Sequence, residues 1–313
     1  MRQRTEMHRT IRGIIDALIT YWLFASLIFF AIRLVPGDPV LLILGDGARL
    51  EDIEAMRRQL HFDEPLSEQY VRFLRGLVTF NFGDSLRVAG VTAFHRVGAS
   101  LGSTIRLSGM AVAIGSIGGI LCALAMVGSR LSRWARAVER VLIAVTSVPL
   151  LAFGPVASYV LAAQFRLVPL PGDPDAPFGG LLFASVLLAI PLGAHAARIA
   201  YASLREVSDA PFLRVVRAKG GGSWRVWAVH ALPASIGPIL AVTGAQLGAL
   251  LAGAIVLERL FEREGLGTLI LGAYAARDIP VLQAAVIVGG GLFIGVQSLV
   301  VAIHPMIDPR ARA

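Results

Sequence analysis

Six apolar runs, each long enough to cross a lipid bilayer, constrain the fold of this chain more than any other feature. A transmembrane helix needs about 20 consecutive apolar residues. The sequence therefore predicts an all-α integral membrane protein with six transmembrane helices, which places both termini on the same side of the membrane. The runs extend over residues 14–35, 104–128, 141–163, 180–202, 235–257 and 281–303.

The composition supports the same class of protein. Of the 313 residues, 56% are hydrophobic, whereas soluble domains contain roughly 45–50% even when glycine is counted. The first run follows several arginines, so a cleaved signal peptide is an alternative interpretation. However, the run exceeds the about 7–15 apolar residues of a signal peptide, and no small-residue cleavage site follows it. We therefore interpret the first run as a membrane anchor.

The net charge of +8 is distributed unevenly among the segments that flank the runs. Segments on the cytoplasmic side of a membrane usually carry an excess of arginine and lysine. The alternation of charge predicts cytoplasmic termini and a long external segment after the first helix, and it does not indicate a nucleic acid partner. The net positive segments are 1–12, 129–140 and 198–230, and the net negative segments are 34–103, 164–179 and 258–280.

We divide the chain into four parts on this basis. Residues 1–35 form the N-terminal tail and the first helix, and residues 36–103 form an external segment with short helices. Residues 104–303 form a five-helix core that contains a cytoplasmic basic segment, 205–233. Residues 304–313 form a cytoplasmic C-terminal tail.

Residues that carry enzyme chemistry show no convergent pattern. The sequence has no Gly-x-x-x-x-Gly-Lys-Ser/Thr phosphate loop, its six histidines form no paired metal-ligand motif, and Cys122 is its single cysteine. We therefore expect a chain that is not an enzyme and that binds no metal or other cofactor itself. A membrane enzyme and an ion-coupled secondary carrier stay open as alternatives. The lack of carboxylates at the centres of the runs disfavours the carrier.

The basic segment contains one short amphipathic helix. Its apolar residues recur at helical spacing on one face, and its basic residues occupy the other face. Gly220 ends the helix, because glycine adopts the left-handed backbone conformation without a Cβ clash. We expect this contact helix to cover residues 209–219. The apolar face consists of Phe212, Val215 and Val216, and the basic face consists of Arg214, Arg217 and Lys219.

Three residues within the runs are candidates for lining a pathway or for acting as hinges. Pro149 and Pro191 interrupt the third and fourth runs, and a proline frees a backbone carbonyl that then needs another partner. An ordinary packed kink explains each proline equally well. Gln246 is a polar side chain in the fifth run. A small-residue face for close helix packing is predicted in the second run, at Gly115, Gly118, Gly119 and Ala123.

Several short motifs follow one another along the chain. In the basic segment, Arg214-Val215-Val216-Arg217-Ala218-Lys219-Gly220 is followed by His230-Ala231-Leu232-Pro233. This chain resembles the permease subunits of bacterial binding-protein-dependent ABC importers, most closely the oligopeptide/dipeptide/nickel branch, and the basic segment is similar to their EAA motif. Ala210-Pro211-Phe212 departs from that motif, which usually has an acidic residue, Asp and Tyr there. The other motifs that carry the resemblance are Arg33-Leu34-Val35-Pro36-Gly37-Asp38-Pro39, Phe82-Gly83-Asp84-Ser85, Val256-Leu257-Glu258-Arg259-Leu260-Phe261 with Gly265-Leu266-Gly267, Arg277-Asp278-Ile279-Pro280-Val281-Leu282-Gln283, and Asp308-Pro309-Arg310.

The resemblance implies a type I-like ABC importer permease fold in the bacterial cytoplasmic (inner) membrane. It also implies a heterodimer with a homologous second permease, two ATPase subunits that carry ATP and Mg, and an external solute-binding protein. The implied function is ATP-driven import of di- or oligopeptides, or of similar small polar solutes, by alternating access. Nickel, glutathione and opines are alternative substrates within the same branch.

The resemblance also implies roles for particular residues. One set couples this chain to the ATPase subunits, and another contacts the external binding protein. The coupling residues are Phe212, Arg214, Val215, Val216, Arg217, Ala218, Lys219, Gly220, Leu232 and Pro233. The candidates for the external contact are Glu258, Phe261, Gly265, Leu266, Gly267 and Asp278.

Overall fold

The structure, a computed structural model, describes residues 2–34, 39–45, 47–128, 132–251 and 254–307. Every regular element within these ranges is a helix, which confirms the predicted all-α class. Residues 35–38 of the motif that begins at Arg33, and the motif Asp308-Pro309-Arg310, lie outside the described residues.

The helices fall into long apolar elements and short connecting ones. Two wider π-helical turns are present, one that continues α7 over Tyr159–Gln164 and one that precedes α10 over Arg225–Ala231. In chain order the helices are α1 (Arg2–Leu34), α2 (Pro39–Leu44), α3 (Leu50–Gln59), α4 (Leu66–Thr79), α5 (Ala93–Gly128), α6 (Ser132–Ser147), α7 (Leu150–Ser158), α8 (Pro177–Glu206), α9 (Pro211–Ala218), α10 (Leu232–Ala234), α11 (Ile236–Leu251), α12 (Ile255–Leu260), α13 (Leu266–Ala275) and α14 (Ile279–Ile307).

The predicted spans correspond to two kinds of element. Helices α1, α5, α8 and α14 each contain a continuous stretch long and apolar enough to cross a membrane. Two further crossings are available only if each of two bent helix pairs counts as one span. The pair Arg133–Ser147 and Ala152–Gln164 is bent by 99°, and the pair Arg225–Ala234 and Ile236–Leu251 by 68°. Within the described residues, six crossings would therefore consist of four continuous helices and two bent helix pairs.

Two helices differ in extent from the apolar runs. Helix α5 begins at Ala93, ahead of the run that starts at Thr104, and the buried residues Ala93 and Val97 continue its packed face. Helix α11 ends at Leu251, whereas the fifth run extends to Leu257, which lies in the short helix α12 and is buried within the protein. Apolarity alone does not distinguish a residue that faces lipid from one that packs inside, so the limits of each crossing stay predictions.

The most extensive helix contact joins α5 and α8. Glycines bring the two backbones together at this contact. A Cβ atom on Gly115 would lie 3.0 Å from the carbonyl oxygen of Ala189, and one on Gly193 would lie 2.9 Å from the carbonyl oxygen of Gly115. Small residues permit this approach and the dispersion contacts that hold helices together in a membrane. We call this contact the α5–α8 seam.

The predicted small face of the second span is confirmed at three of its four positions. Gly115, Gly119 and Ala123 are buried. A Cβ atom on Gly119 would lie 2.9 Å from the backbone nitrogen of Ala197. Gly118 is exposed and has no atom within 4 Å of a Cβ built on it, so the prediction is wrong at this position. The seam therefore follows the four-residue spacing of Gly115 and Gly119.

Helix α14 contacts both α1 and α11, and glycines again provide the space. A Cβ atom on Gly291 would lie 2.9 Å from the ring of Tyr21 in α1. A Cβ atom on Gly248 of α11 would lie 3.0 Å from the ring of Phe293. At each of the two contacts of α14, a glycine on one helix therefore leaves room for an aromatic ring of the other helix.

Arg33 connects α1 to the short helix α4. Its Nε donates a hydrogen bond to Oε1 of Gln69 at 3.0 Å, and its Nη1 donates to the carbonyl oxygen of Phe29 at 3.1 Å. The guanidinium also lies 3.6 Å from the centroid of the Phe29 ring, where the ring attracts a cation. Arg33 therefore holds part of the segment that follows the first span against the C-terminal end of α1.

We predict that Gly119→Leu disrupts the α5–α8 seam, whereas Gly118→Leu does not. The added side chain at position 119 has no space between the two backbones, and overpacking of this kind costs about 1–3 kcal/mol or more. Thermal unfolding of the detergent-solubilised chain should show a lower midpoint for the Gly119 variant. A Gly118 variant that is destabilised as strongly as the Gly119 variant would contradict the seam.

Candidate functional site

Helix α9 of the basic segment packs on the rest of the chain through its apolar side, and Leu213 is the most deeply buried residue of that side. Leu213 is fully buried. It belongs to a group that we call the α9 cluster, which draws residues from α5, α8, α9, α11 and the π-helical turn before α10. The members of the α9 cluster are Ala123, Leu124, Ala200, Leu204, Val207, Leu213, Val226, Ala231 and Ile239.

The ends of α9 follow from its sequence. Pro211 occupies the first turn, where its missing N–H needs no partner and its fixed φ suits a helix. Gly220 has φ +80°, which confirms the predicted stop. The backbone N–H of Gly221 then donates to the carbonyl oxygen of Val216 at 3.0 Å and closes the helix end. The helix covers Pro211–Ala218, three residues fewer than the expected 209–219.

The outward side of α9 is basic. Arg214, Arg217 and Lys219 are exposed. Arg217 is the best fixed of them, because its Nη1 donates to the carbonyl oxygen of Ser208 at 3.2 Å and its guanidinium lies 5.6 Å from the centroid of the Trp227 ring. This arrangement leaves charged groups in solvent while the opposite side of the helix packs on the protein.

The apolar residues predicted to face a partner differ in their exposure to solvent. Phe212 and Val216 are half-buried against the α9 cluster of this chain, and Val215 is 53% exposed. Sequence reasoning missed Leu213, although its three-residue spacing to Val216 was a usable signal for the buried face. Ala218 and Gly220 are exposed. That these residues couple to an ATPase stays a prediction.

A π-helical turn leads from α9 to α11. It covers Arg225–Ala231 and is followed by Leu232 and Pro233, of which Leu232 is half-buried and Pro233 is exposed. Proline has no N–H to donate, and its ring excludes the carbonyl four residues earlier. A wider turn before Pro233 accommodates this conflict. The chain bends by 68° before it enters α11.

Two of the three pathway or hinge candidates lie close together. Gln246 of α11 donates from Nε2 to the carbonyl oxygen of Leu192 in α8 at 3.2 Å, one residue after Pro191. Pro149 lies elsewhere, at the break between α6 and α7. The structure therefore places Gln246 and Pro191 at one contact between helices, and it places Pro149 at a bend. Their roles in transport stay predictions.

At the N-terminal half of α5, a buried carboxylate connects three helices. Glu258 of α12 is 0% exposed. The Thr104 hydroxyl of α5 donates to its Oε1 at 2.6 Å, and the Thr268 backbone N–H of α13 donates to its Oε2 at 3.0 Å. Oγ1 of Thr104 accepts the backbone N–H of Leu266 at 2.7 Å. We call Thr104, Glu258, Leu266 and Thr268 the Glu258 network.

The Gly265-Leu266-Gly267 motif makes room for this carboxylate. A Cβ atom on Gly265 would overlap the carboxylate of Glu258. A Cβ atom on Gly267 would lie 3.0 Å from Oε2 of Glu258 and 2.5 Å from Cγ1 of Ile255. The two glycines are therefore needed for close approach, and the carboxylate satisfies an N–H in the first turn of α13 that has no partner within the helix.

A second buried carboxylate joins two of the motifs found in the sequence. Asp278 precedes α14 and is 0% exposed. Its Oδ2 accepts the Ser85 hydroxyl, and its Oδ1 accepts the backbone N–H of Leu86 at 3.2 Å. Nη1 of Arg96 lies 3.5 Å from Oδ2. The turn at Phe82-Gly83-Asp84-Ser85 is thus fastened to the start of α14 and to α5.

The candidates for direct contact with an external binding protein require a correction. All six residues are buried. Glu258 and Asp278 are the two buried carboxylates, and the glycines border Glu258. Phe261 packs edge-on against Phe183, with 5.3 Å between the ring centroids. As placed in this structure, they organise the interior instead of forming a contact surface. The six positions are Glu258, Phe261, Gly265, Leu266, Gly267 and Asp278.

Exposed acidic residues border a cavity beside these buried positions. The cavity has a volume of about 320 Å³. Burial and the neighbouring Arg106 lower the pKa of Arg263, which lines the cavity, while Glu258 acts in the opposite direction. In the described part of the chain, no group of three His, Cys, Asp or Glu side chains is arranged to hold a metal ion. The lining residues are Ser103, Gly172, Asp173, Pro174, Pro177, Gly180, Phe261, Glu262, Arg263 and Glu264.

Comparison with known proteins gives matches along most of the chain. The family model described as binding-protein-dependent transport system inner membrane component matches residues 115–313, and the model for the N-terminal part of such membrane components matches residues 7–102. A Brucella abortus protein named as a peptide transport system permease is 30% identical over 309 residues, which cover 96% of this chain and 98% of that protein.

Two further relatives have the same extent. A Sinorhizobium fredii protein named as a peptide ABC transporter permease is 30% identical over 316 residues, with 96% of this chain and 98% of that protein covered. The glutathione transport system permease protein GsiC of Escherichia coli is 29% identical over 310 residues, with 98% of this chain and 99% of that protein covered. This chain therefore belongs to the family of inner membrane components of binding-protein-dependent transport systems.

Proposed function

We propose that this chain is one of two permease subunits of an ATP-driven importer for di- or oligopeptides. The observation that carries the proposal is the position of α9. Leu213 is buried in the α9 cluster, which includes residues at the ends of α5 and α8, while Arg214, Arg217 and Lys219 are exposed. A helix that packs on its own chain and presents cationic side chains to solvent is suited to receive a partner protein and to transmit its movement.

The proposed partners at this end are two ATPase subunits. They would hold ATP and Mg, because this chain has no phosphate loop. Val215 supplies an exposed apolar contact, and the basic residues around it meet acidic groups of the ATPase. Closure of the ATPases on ATP would move α9 and switch the permease between outward and inward access. This chain itself has no catalytic role in the proposal.

The distribution of charge supports an orientation with α9 in the cytoplasm. Helix α5 has 36 residues, a length of about 54 Å at about 1.5 Å per residue. The basic segment packs at its C-terminal end, and the acidic cavity rim lies toward its N-terminal half. Arginine-rich segments favour the cytoplasmic side. We therefore propose a type I-like permease of six crossings with both termini in the cytoplasm, located in the bacterial inner membrane.

The external solute-binding protein is proposed to dock on the acidic rim of the cavity. Asp173, Glu262 and Glu264 line it, and Glu262 and Glu264 are exposed. This surface replaces the buried positions that the sequence predicted for the contact. Basic side chains on the binding protein would complement it. The second permease subunit would be a homologue of this chain and would complete the pathway.

The names of the relatives support a peptide substrate. Two of the proteins described above are named for peptide transport and one for glutathione, which is itself a short peptide. We therefore propose a peptide, with glutathione as the alternative that the relatives support. Import of nickel or opines within the same branch has no such support among these three proteins.

Uptake by the reconstituted complex tests the proposed function. The chain, purified with the subunits that co-purify with it, should transport a labelled dipeptide into proteoliposomes only with ATP and the binding protein present. Uptake should persist when an ionophore dissipates ion gradients. Uptake that needs a gradient and no ATP would indicate a secondary carrier, and chemical conversion of the labelled peptide without any ATPase would indicate a membrane enzyme.

We predict that Arg217→Glu weakens the attachment of the ATPase and uncouples the remaining ATP hydrolysis from transport. The change reverses a fixed charge on the outward side of α9 but leaves Leu213 in place, so insertion and folding should persist. A like charge placed against acidic groups of a partner is repelled, so less ATPase should co-purify and less peptide should be taken up per ATP hydrolysed. Arg166→Glu, at an exposed position in the segment before α8, is the charge-matched control. Full coupled transport by the Arg217 variant would remove its coupling role.

We predict that Gly220→Val weakens coupling more than Gly222→Val. Gly220 has φ +80°, whereas Gly222 has open space around it and no such backbone angle. A side chain held in the left-handed region costs about 1–2 kcal/mol, and a β-branched residue tolerates it poorly. Transport per ATP hydrolysed should therefore fall for the Gly220 variant. Equal behaviour of both variants would show that the helix stop does not matter.

A further inference from the structure

Helix α5 makes contact with both regions that the proposed function assigns to partners. Toward its N-terminal end, Thr104 bonds to Glu258 in the helix that leads into the acidic cavity rim. Toward its C-terminal end, Ala123 and Leu124 belong to the α9 cluster. Ala123 lies 19 positions after Thr104 in the same helix, a separation of about 28 Å along the axis. A continuous helix packed at both ends is a physical connection through which displacement can pass.

Glu258 is an unusual way to attach the cavity rim to α5. The carboxylate is fully buried, and in the described part of the chain no basic side chain forms a salt bridge with it within 4.0 Å, although Arg263 interacts with it electrostatically at longer range. It is held by one hydroxyl and one backbone N–H instead. A buried carboxylate is costly unless such partners stay in place. Separation of Glu258 from Thr104 or Thr268 would leave the buried carboxylate without a partner and is therefore costly.

The geometry places the cavity rim within the same unit. Glu262 and Glu264 line the cavity and lie between α12, which carries Glu258, and α13, which begins after Gly265. Both ends of this short loop are therefore held by the Glu258 network. A force applied to the rim has a direct hydrogen-bonded route into α5.

We propose that Glu258 is a positioning residue that couples docking on the cavity rim to α5 and, through α5, to α9. The inference rests on the proposed function, because it gives the means by which a docked binding protein stimulates the ATPases. Glu258 does not touch the binding protein. Its role is to hold the cavity rim in a fixed position relative to α5.

Thr104 offers the sharpest test, since three variants separate hydrogen bonding from packing. Thr104→Val keeps the shape but removes the donor to Glu258 and the acceptor for Leu266. Thr104→Ser keeps the hydroxyl. Ser108→Ala is the matched control, because Ser108 lies one turn further along α5 and its buried hydroxyl has no partner among the described residues.

Two measurements are made on the complex in nanodiscs. Hydrogen exchange is followed at the backbone amides of Leu266 and Thr268, and ATPase activity is measured with and without binding protein loaded with a dipeptide. For Thr104→Val we expect exchange at these amides to be about tenfold faster. Stimulation by the binding protein should fall at least about fivefold, while basal ATPase activity stays near the wild-type value. Thr104→Ser should keep exchange and stimulation near their wild-type values, because it keeps the hydroxyl. Ser108→Ala should change neither exchange nor stimulation.

The outcomes separate this inference from the proposed function. If Thr104→Val exchanges faster but is fully stimulated by the binding protein, the network is purely structural and the inference is overturned. Wild-type exchange together with wild-type stimulation would also overturn it. If Thr104→Val does not assemble, Glu258→Gln replaces it, and full stimulation by that variant would likewise overturn the inference. A wild-type complex without ATP-dependent uptake would overturn the proposed function, and the inference would fall with it.

Discussion

Close packing of α5 against α8 through glycines forms the most extensive contact between helices in this structure and positions the elements at both ends of the pair. Gly115, Gly119 and Gly193 let two backbones touch along a pair of helices that both run through the core. In a membrane, lipid competes equally for apolar side chains, so close packing of this kind provides the specificity that hydrophobicity does not. Once the two helices are packed side by side, other elements pack at the two ends of the pair, and we call these two ends platforms.

Each platform is completed by a different kind of chemistry. At the C-terminal ends of α5 and α8, apolar packing around Leu213 seats a basic helix and leaves its charges in solvent. Toward the N-terminal end of α5, two buried carboxylates, Glu258 and Asp278, fasten loops by hydrogen bonds. Apolar packing tolerates small sliding movements, whereas a buried carboxylate requires exact partners. Helix α9 is therefore held by apolar packing at one end, and the cavity rim is held by hydrogen bonds at the other.

The sequence was sufficient to predict the membrane class, the straight spans and the basic helix. These features depend on local patterns, such as the apolar runs or the stop at Gly220, and local patterns are visible in one chain. It was not sufficient for the burial of Glu258 and Asp278. Their hydrogen-bond partners, such as Thr104 and Ser85, lie more than 150 positions away in the sequence. The prediction that Gly118 belongs to the packing face was wrong for a related reason. A glycine leaves room for a neighbouring residue, but the sequence does not show whether a neighbour is present.

Helix α9 is anchored in its own chain through Leu213, and we propose that it meets an ATPase through its outward side. Site-specific photocrosslinking in the purified complex tests it most directly, with a photoreactive residue at position 215 or 213. We predict an adduct with the ATPase from position 215, where Val215 is exposed, and none from position 213, where Leu213 is buried. An ATPase adduct from position 213, or none from position 215 in an active complex, would contradict the account.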